Sequence, residues 1–126
     1  MKAKELIIGD LVLYFGKVFS ILKVDPETEL SIIEDARHFE EANINDLSPI
    51  PLTPNILEKN GWKKSKINDC AYFYYKDGVF LAYTSKDDKF WFDDFDYSSG
   101  ICVELPYIHS LQHLLFGLKL NSEMEV

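Results

Sequence analysis

Ala71-Tyr72-Phe73-Tyr74-Tyr75-Lys76-Asp77-Gly78-Val79-Phe80-Leu81-Ala82-Tyr83-Thr84-Ser85-Lys86-Asp87-Asp88-Lys89-Phe90-Trp91-Phe92-Asp93 decides how the rest of the chain is read. Asp77-Gly78 between two aromatic runs is a type I′ hairpin signal, because that turn needs positive φ at both central residues. The register follows: Lys76 opposite Val79, Tyr75 opposite Phe80, Tyr74 opposite Leu81 and Phe73 opposite Ala82. Side-chain alternation then puts Ala71, Phe73, Tyr75, Phe80 and Ala82 on one face, and Tyr72, Tyr74, Leu81 and Tyr83 on the other. A loop over Ser85 to Asp88 returns Phe90-Trp91-Phe92 as a third strand. Trp91 joins the first face, and Phe90 and Phe92 the second.

Both faces of this meander are aromatic, whereas a sheet with one wet face alternates apolar with polar. Either both faces are covered within the protomer or one is a contact surface. Tyrosine suits a place that is dry at one end and wet at the other. The phenylalanine/tryptophan face is therefore expected to be core and the tyrosine-rich face partly exposed. The alternative, that a helix or the N-terminal strands cover the tyrosines, stays open.

At 126 residues, 47% hydrophobic and 14% aromatic, the chain can bury a core as one domain or two very small ones. Disorder is expected only at the last residues, Asn121 to Val126. The formal charge is −8, unevenly placed. Asp25, Glu27, Glu29, Glu34, Asp35, Glu40, Glu41 and Asp46 face one base, Arg37, and that segment carries −7. Asp87, Asp88, Asp93, Asp94 and Asp96 form a second cluster around the third strand. Direct nucleic-acid binding is disfavoured, since phosphates need Lys and Arg. The basic run Lys59, Lys63, Lys64, Lys66 reads as a solvated edge. Cys70 and Cys102, with no C-x-x-C, read as two free thiols in a reducing compartment, a single bridge being the other option. No apolar run fits a signal peptide or a membrane span, so a soluble, cytoplasmic protein without membrane contact is expected.

From the N-terminus, Gly9-Asp10 makes a turn, and Leu11 to Phe15, Val18 to Val24 and Leu30 to Ile33 read as strands, the last two separated by Asp25-Pro26. Short strands with tight turns suggest a bent antiparallel sheet or SH3-like barrel over residues 1–52. Asn43 to Leu52 is a proline-punctuated connector. Thr53-Pro54 then opens a short helix, with Thr53 as N-cap and Pro54 first in the helix, and Gly61 closes it in the left-handed conformation. A strand from Trp62 to Lys66 precedes the meander. Asp94 to Gly100 reads as a polar loop and Ile101 to Leu105 as a last strand. Pro106 opens a helix from Tyr107 to about Leu118, where Ile108, Leu111, Leu114, Leu115 and Leu118 fall within roughly 120 degrees. The meander is the nearest sheet for that stripe to cover. The fold class is α+β: a small SH3-like sheet over 1–52, then helix, β-meander and C-terminal helix over 53–126 as one compact unit with it.

No catalytic constellation is complete. His109-x-x-x-His113 has metal-ligand spacing, but Ser110 stands where a zinc peptidase needs Glu, and the histidines read as a polar face opposite the leucine stripe. Asp94 to Gly100 with Glu104 echoes a calcium loop, yet its Gly comes one residue late and its Glu one early. The same aspartates lack the basic neighbours that Mg²⁺-assisted phosphoryl chemistry needs. Cys102 and His109 have no spacing that supports a thiol–imidazole pair. Catalytic residues, metal ligands and cofactors are all expected to be none.

Lys2-Ala3-Lys4-Glu5-Leu6-Ile7-Ile8-Gly9-Asp10-Leu11-Val12 resembles the opening of a set of small uncharacterised proteins of Bacteroidetes genomes, prophages and mobile elements. Leu47-Ser48-Pro49-Ile50-Pro51-Leu52-Thr53, with the helix ending in Gly61-Trp62, is similar to their mid-chain stretch. Tyr107-Ile108-His109-Ser110-Leu111-Gln112-His113-Leu114-Leu115-Phe116 resembles their closing helix, although Gly117 stands where Ala is usual. The resemblance implies a bacterial or phage cytoplasmic protein and supplies no activity.

Three functions are weighed. The first is a non-catalytic protein-interaction module, such as an accessory protein of a phage or mobile element, that engages a protein partner or a second copy. Its contact residues would be Tyr72, Tyr74, Tyr83, Phe90, Phe92, Asp87, Asp88, Asp93, Asp94 and Asp96. The second is an acidic mimic of nucleic acid, an anti-CRISPR-like inhibitor of a host defence nuclease, which requires the carboxylates to line one stripe. The third is a metal-dependent hydrolase built on the histidines or the Asp loop.

Overall fold

The computed structural model describes residues 1–93 and 102–126. Those residues form two five-stranded antiparallel sheets, a short central helix and a C-terminal helix, so the chain is mostly β with helices. The chain divides into two compact units, Met1–Pro51 with Tyr107–Met124, and Leu52–Pro106 with Glu125–Val126.

In the first unit, β1 (Leu11–Tyr14), β2 (Lys17–Asp25), β3 (Leu30–Glu34), β4 (Phe39–Asn43) and β5 (Leu47–Ser48) lie in the order β4-β3-β2-β1-β5. The register of β2 against β3 slips between Ile21 and Lys23. Such a bulge bends a strand and raises its twist, which curls the sheet into an SH3-like half-barrel. Alternation brings Val12, Phe19, Ile21, Ile33 and Ala42 to the inner face, where Leu6, Ile44 and Leu47 complete the core. Phe15-Gly16 turns β1 into β2 with φ of 48° and 76°, a type I′ geometry carrying a bulky residue where Asn or Asp is usual. β4 and β5 were not expected from the sequence: Phe39-Glu40-Glu41-Ala42-Asn43 has weak strand propensity, and pairing with β3 decides its state.

The closing helix α2 (Ile108–Gly117) groups with this unit and not with the meander. Tyr107 bridges to Pro51, and the Ile108 N–H donates to Ile50 O at 2.8 Å. The apolar stripe alone could not reveal this, because it says that a helix needs a sheet and not which one.

In the second unit, α1 (Pro54–Lys59) begins as its capping residues demand. Thr53 Oγ1 accepts the Ile56 N–H at 3.3 Å, and Gly61 follows with φ of 85°. β6 (Lys63–Asn68), β7 (Ala71–Lys76), β8 (Val79–Thr84), β9 (Lys89–Asp93) and β10 (Cys102–Glu104) form a meander in the order β10-β9-β8-β7-β6. The Asp77-Gly78 turn has φ of 51° and 80°, and Lys76↔Val79, Tyr75↔Phe80, Tyr74↔Leu81 and Phe73↔Ala82 pair in the expected register. β9 adds Leu81↔Phe92, Ala82↔Trp91 and Tyr83↔Phe90. The Lys76 ammonium donates to Asn60 O at 2.7 Å, a cation at the carbonyl end of α1. Residues 125 and 126, expected to be disordered, are held there. The Asn60 amide donates to Glu125 O at 2.7 Å and accepts the Glu125 N–H at 2.8 Å, while Lys59 Nζ donates to Val126 O.

Candidate functional site

Rings project from both faces of the meander, but the faces exchange the roles expected of them. The tyrosine-bearing face is the drier one: Tyr74 and Leu81 are 0% exposed, Phe90 is 1% and Val79 is 4%. Tyr74 packs against Phe90 and Tyr83 at centroid distances of 5.8 and 6.1 Å, and Tyr83 lies 4.6 Å from Phe90. On the opposite face Tyr75 is 37% and Phe80 41% exposed, while Phe73, Ala82 and Trp91 are half-buried. Val79 and Leu81 of β8 share the dry face with the Tyr74 and Phe90 rings, whereas Phe80 and Ala82, equally apolar, lie on the face that stays partly wet.

The expected contact residues therefore separate. Tyr74 and Phe90 are sealed inside this chain, and Tyr72, Tyr83 and Phe92 are half-buried. The Lys64 ammonium sits 4.2 Å from the centre of the Tyr72 ring, a cation–π contact. Tyr83 donates its hydroxyl to Asp88 Oδ1 at 2.7 Å, and that hydrogen bond, aided by burial, pushes its pKa up to about 12. Burial also raises the Tyr74 hydroxyl, with Glu58 of α1 adding to the effect, and that hydroxyl meets no hydrogen-bonding partner among the described residues. Asp87 is exposed in the β8–β9 turn, and Asp93 ends β9. Asp94, Asp96 and the calcium-like stretch 94–100 lie outside the described residues, as does the Cys102 side chain. Cys70 is an exposed free thiol.

The exposed face thus presents a stacked pair, Tyr75 on Phe80 with centroids 5.9 Å apart and planes at 29°, beside Phe73, Ala82 and Trp91. Charges on the same face are few. Lys63 pairs with Tyr75 across β6, and Lys89 reaches Glu104 at 3.8 Å.

The acidic segment of the first unit makes no stripe. Asp25, Glu27 and Glu29 lie at one end of β3, and Glu34 and Asp35 at the other. Glu40 and Glu41 are neighbours on β4 and point to opposite faces. Two of these carboxylates shape turns. Asp25 accepts the Glu27 N–H at 3.0 Å, and Asp35 accepts the N–H groups of Arg37 and His38 at 2.8 and 2.9 Å. These hydrogen bonds hold both carboxyls below the usual Asp range.

A second cluster went unseen in the sequence. His109 and Gln112 are buried, not part of a wet face, and both belong to the helix that docks on the Gly9-Asp10 turn. Gln112 Oε1 accepts the Leu11 N–H at 2.9 Å, and its Nε2 donates to Gly9 O at 3.0 Å and Ser122 O at 3.1 Å. Gln112 so takes the place of a strand neighbour at the start of β1. Asp10, 1% exposed, accepts the Ile7 N–H at 2.8 Å and His113 Nε2–H at 2.7 Å, both on Oδ2. A carboxylate only accepts, so the His113 proton sits on Nε2. Asp10 Oδ1 and His109 Nδ1 are buried, and neither has a hydrogen-bond partner among the described residues. The wheel showed that these side chains oppose the leucine stripe. It could not show that the opposite side is covered too. Among the described residues no group of three or more His, Cys, Asp or Glu side chains is arranged to hold a metal ion. No described helix is long and apolar enough to cross a membrane.

Fold and surface together define a mostly β chain of two antiparallel sheets, the first an SH3-like half-barrel and the second a meander with an exposed aromatic face. No family model matches the chain, and neither does any curated protein or solved structure.

Proposed function

We propose that this protein is a non-catalytic interaction module whose contact surface is the Phe73, Tyr75, Phe80 and Trp91 face of the meander. Its partner is a protein that presents an apolar patch ringed by Lys and Arg. The observation that carries the reading is the exposed, stacked Tyr75–Phe80 pair on a face with two further half-buried rings. Tyrosine, phenylalanine and tryptophan are enriched at protein contacts because each buries a large area for few rotatable bonds. The overall charge of −8 favours a basic partner over a second copy, which would carry the same net charge. The likeness to small proteins of bacterial and phage genomes supports a cytoplasmic, mobile-element setting for that partner. The nucleic-acid-mimic reading is not carried forward, because Glu40 and Glu41 diverge and Asp25 and Asp35 serve their own turns.

The test is the double variant Tyr75→Ser/Phe80→Ser, with Ile8→Ser/Phe15→Ser in the first unit as the control for exposed apolar residues. Loss of the partner in the first pair, with unchanged circular dichroism and melting, and retention in the control supports the proposal. Retention of the same partner at the same stoichiometry by both pairs overturns it.

A further inference from the structure

From the cluster of Asp10, His109 and His113 we infer an acid-triggered latch: a proton taken up by His109 releases α2 from the Gly9–Leu11 edge of the first sheet. Of the two imidazoles only that of His113 meets the Asp10 carboxylate. Asp10 Oδ2 already receives the Ile7 N–H and the His113 Nε2–H. The His109 ring lies 5.6 Å from that of His113 and is stacked by Tyr107 at 5.5 Å, nearly parallel at 10°. It is 8% exposed, and among the described residues neither its Nδ1 nor Asp10 Oδ1 has a hydrogen-bond partner, so the two are not bonded to each other.

The groups that face His109 are Asp10 and Glu5 from the N-terminal stretch, and His113 and Tyr107 from its own. Asp10 and Glu5 favour the charged ring. Burial, which is the largest effect, and His113 oppose it, and the opposing side prevails. The folded state therefore prefers neutral His109. Stability is whole above the ordinary imidazole value near 6.5 and is lost as the pH falls through the lower folded value. Release relieves the cost, because the opened helix gives the charged ring to water.

What opens is also defined. The Leu11 N–H and the Gly9 carbonyl are held by Gln112, one turn along the same helix. Loss of α2 strips both from the edge of β1, whereas the β2–β3–β4 ladder keeps its own bonds.

The experiment is amide exchange and histidine-ring titration by NMR on the full chain from pH 7.5 to 5.0, corrected for intrinsic exchange. For the wild type, protection of Leu11 and of the α2 amides should fall by up to about tenfold per pH unit below the ring's usual value, the single-proton slope. Ile33, in the β3 ladder, should hold. His109→Gln, which cannot charge, should flatten the response, and His113→Gln should weaken protection at every pH yet keep the step. A flat wild-type profile, or the same step in His109→Gln, overturns the latch. Should His109→Gln fail to fold, the wild type decides alone: the His109 ring must titrate with the same midpoint as Leu11 and α2 deprotection, and separate midpoints overturn it.

Discussion

Replacing Gln112 by Met keeps the length and apolar bulk of the side chain and removes its three hydrogen bonds, to Leu11 N–H, Gly9 O and Ser122 O. Each intramolecular hydrogen bond contributes about 1 kcal/mol net, and a buried group left alone costs about 1–3 kcal/mol. Gly9 is exposed, so its carbonyl regains water. The half-buried Leu11 N–H and Ser122 carbonyl regain less. The expected loss is about 2–3 kcal/mol, which lowers the urea midpoint by about 1 M for a small domain. Far-UV circular dichroism should report that shift, and amide exchange should localise the first loss to Leu11 and α2. Tryptophan fluorescence should lag, because Trp62 and Trp91 both belong to the other unit. A shift equivalent to less than about 0.5 kcal/mol, within the range of ordinary surface changes, would refute the claim that Gln112 stands in for a missing strand partner of β1.

Tyr74→Phe removes a buried hydroxyl with no partner among the described residues, so it should raise stability by about 1 kcal/mol in denaturant titration. Phe15→Asn places a residue suited to positive φ at the first centre of the β1–β2 turn. With Phe15 79% exposed there is little packing to lose, and a gain of about 0.5–1 kcal/mol is expected. The folded state keeps the Tyr83 proton, with a pKa pushed up to about 12, longer than an ordinary tyrosine near 10. That contribution is present below pH 10 and is lost as the pH rises towards 12. Asp88→Ala should bring one tyrosinate transition in the absorbance titration back towards 10 and remove the corresponding alkaline loss of stability.

Much of the fold was legible because its instructions are local. Asp77-Gly78 dictates a turn type, the turn dictates the register, and the register assigns every ring of β7, β8 and β9 to a face. Thr53, Pro54 and Gly61 likewise bracket α1 with no help from the rest of the chain. What remained hidden depends on residues distant in sequence. Which meander face is drier does not follow from side-chain polarity, since Val79 and Leu81 on one face and Phe80 and Ala82 on the other are all apolar. The stretch Phe39–Asn43 becomes a strand only against β3. The Asp10–His113 contact joins positions 103 residues apart, and the bare i, i+4 histidine spacing pointed towards metal or solvent instead. The acidic run misled for a related reason: net charge is read along the chain, while alternation and turn capping distribute it in space.

The exposed ring face as contact surface is tested most directly by the photoreactive residue p-benzoylphenylalanine in place of Phe80, in the cells that make the protein. The same residue in place of Ile8, 74% exposed in the first unit, is the control. One discrete adduct with a single basic protein is expected at position 80, absent at position 8 and lost when Tyr75→Ser is added. Equal labelling from both positions, adducts only with another copy of this chain, or none at all would contradict it.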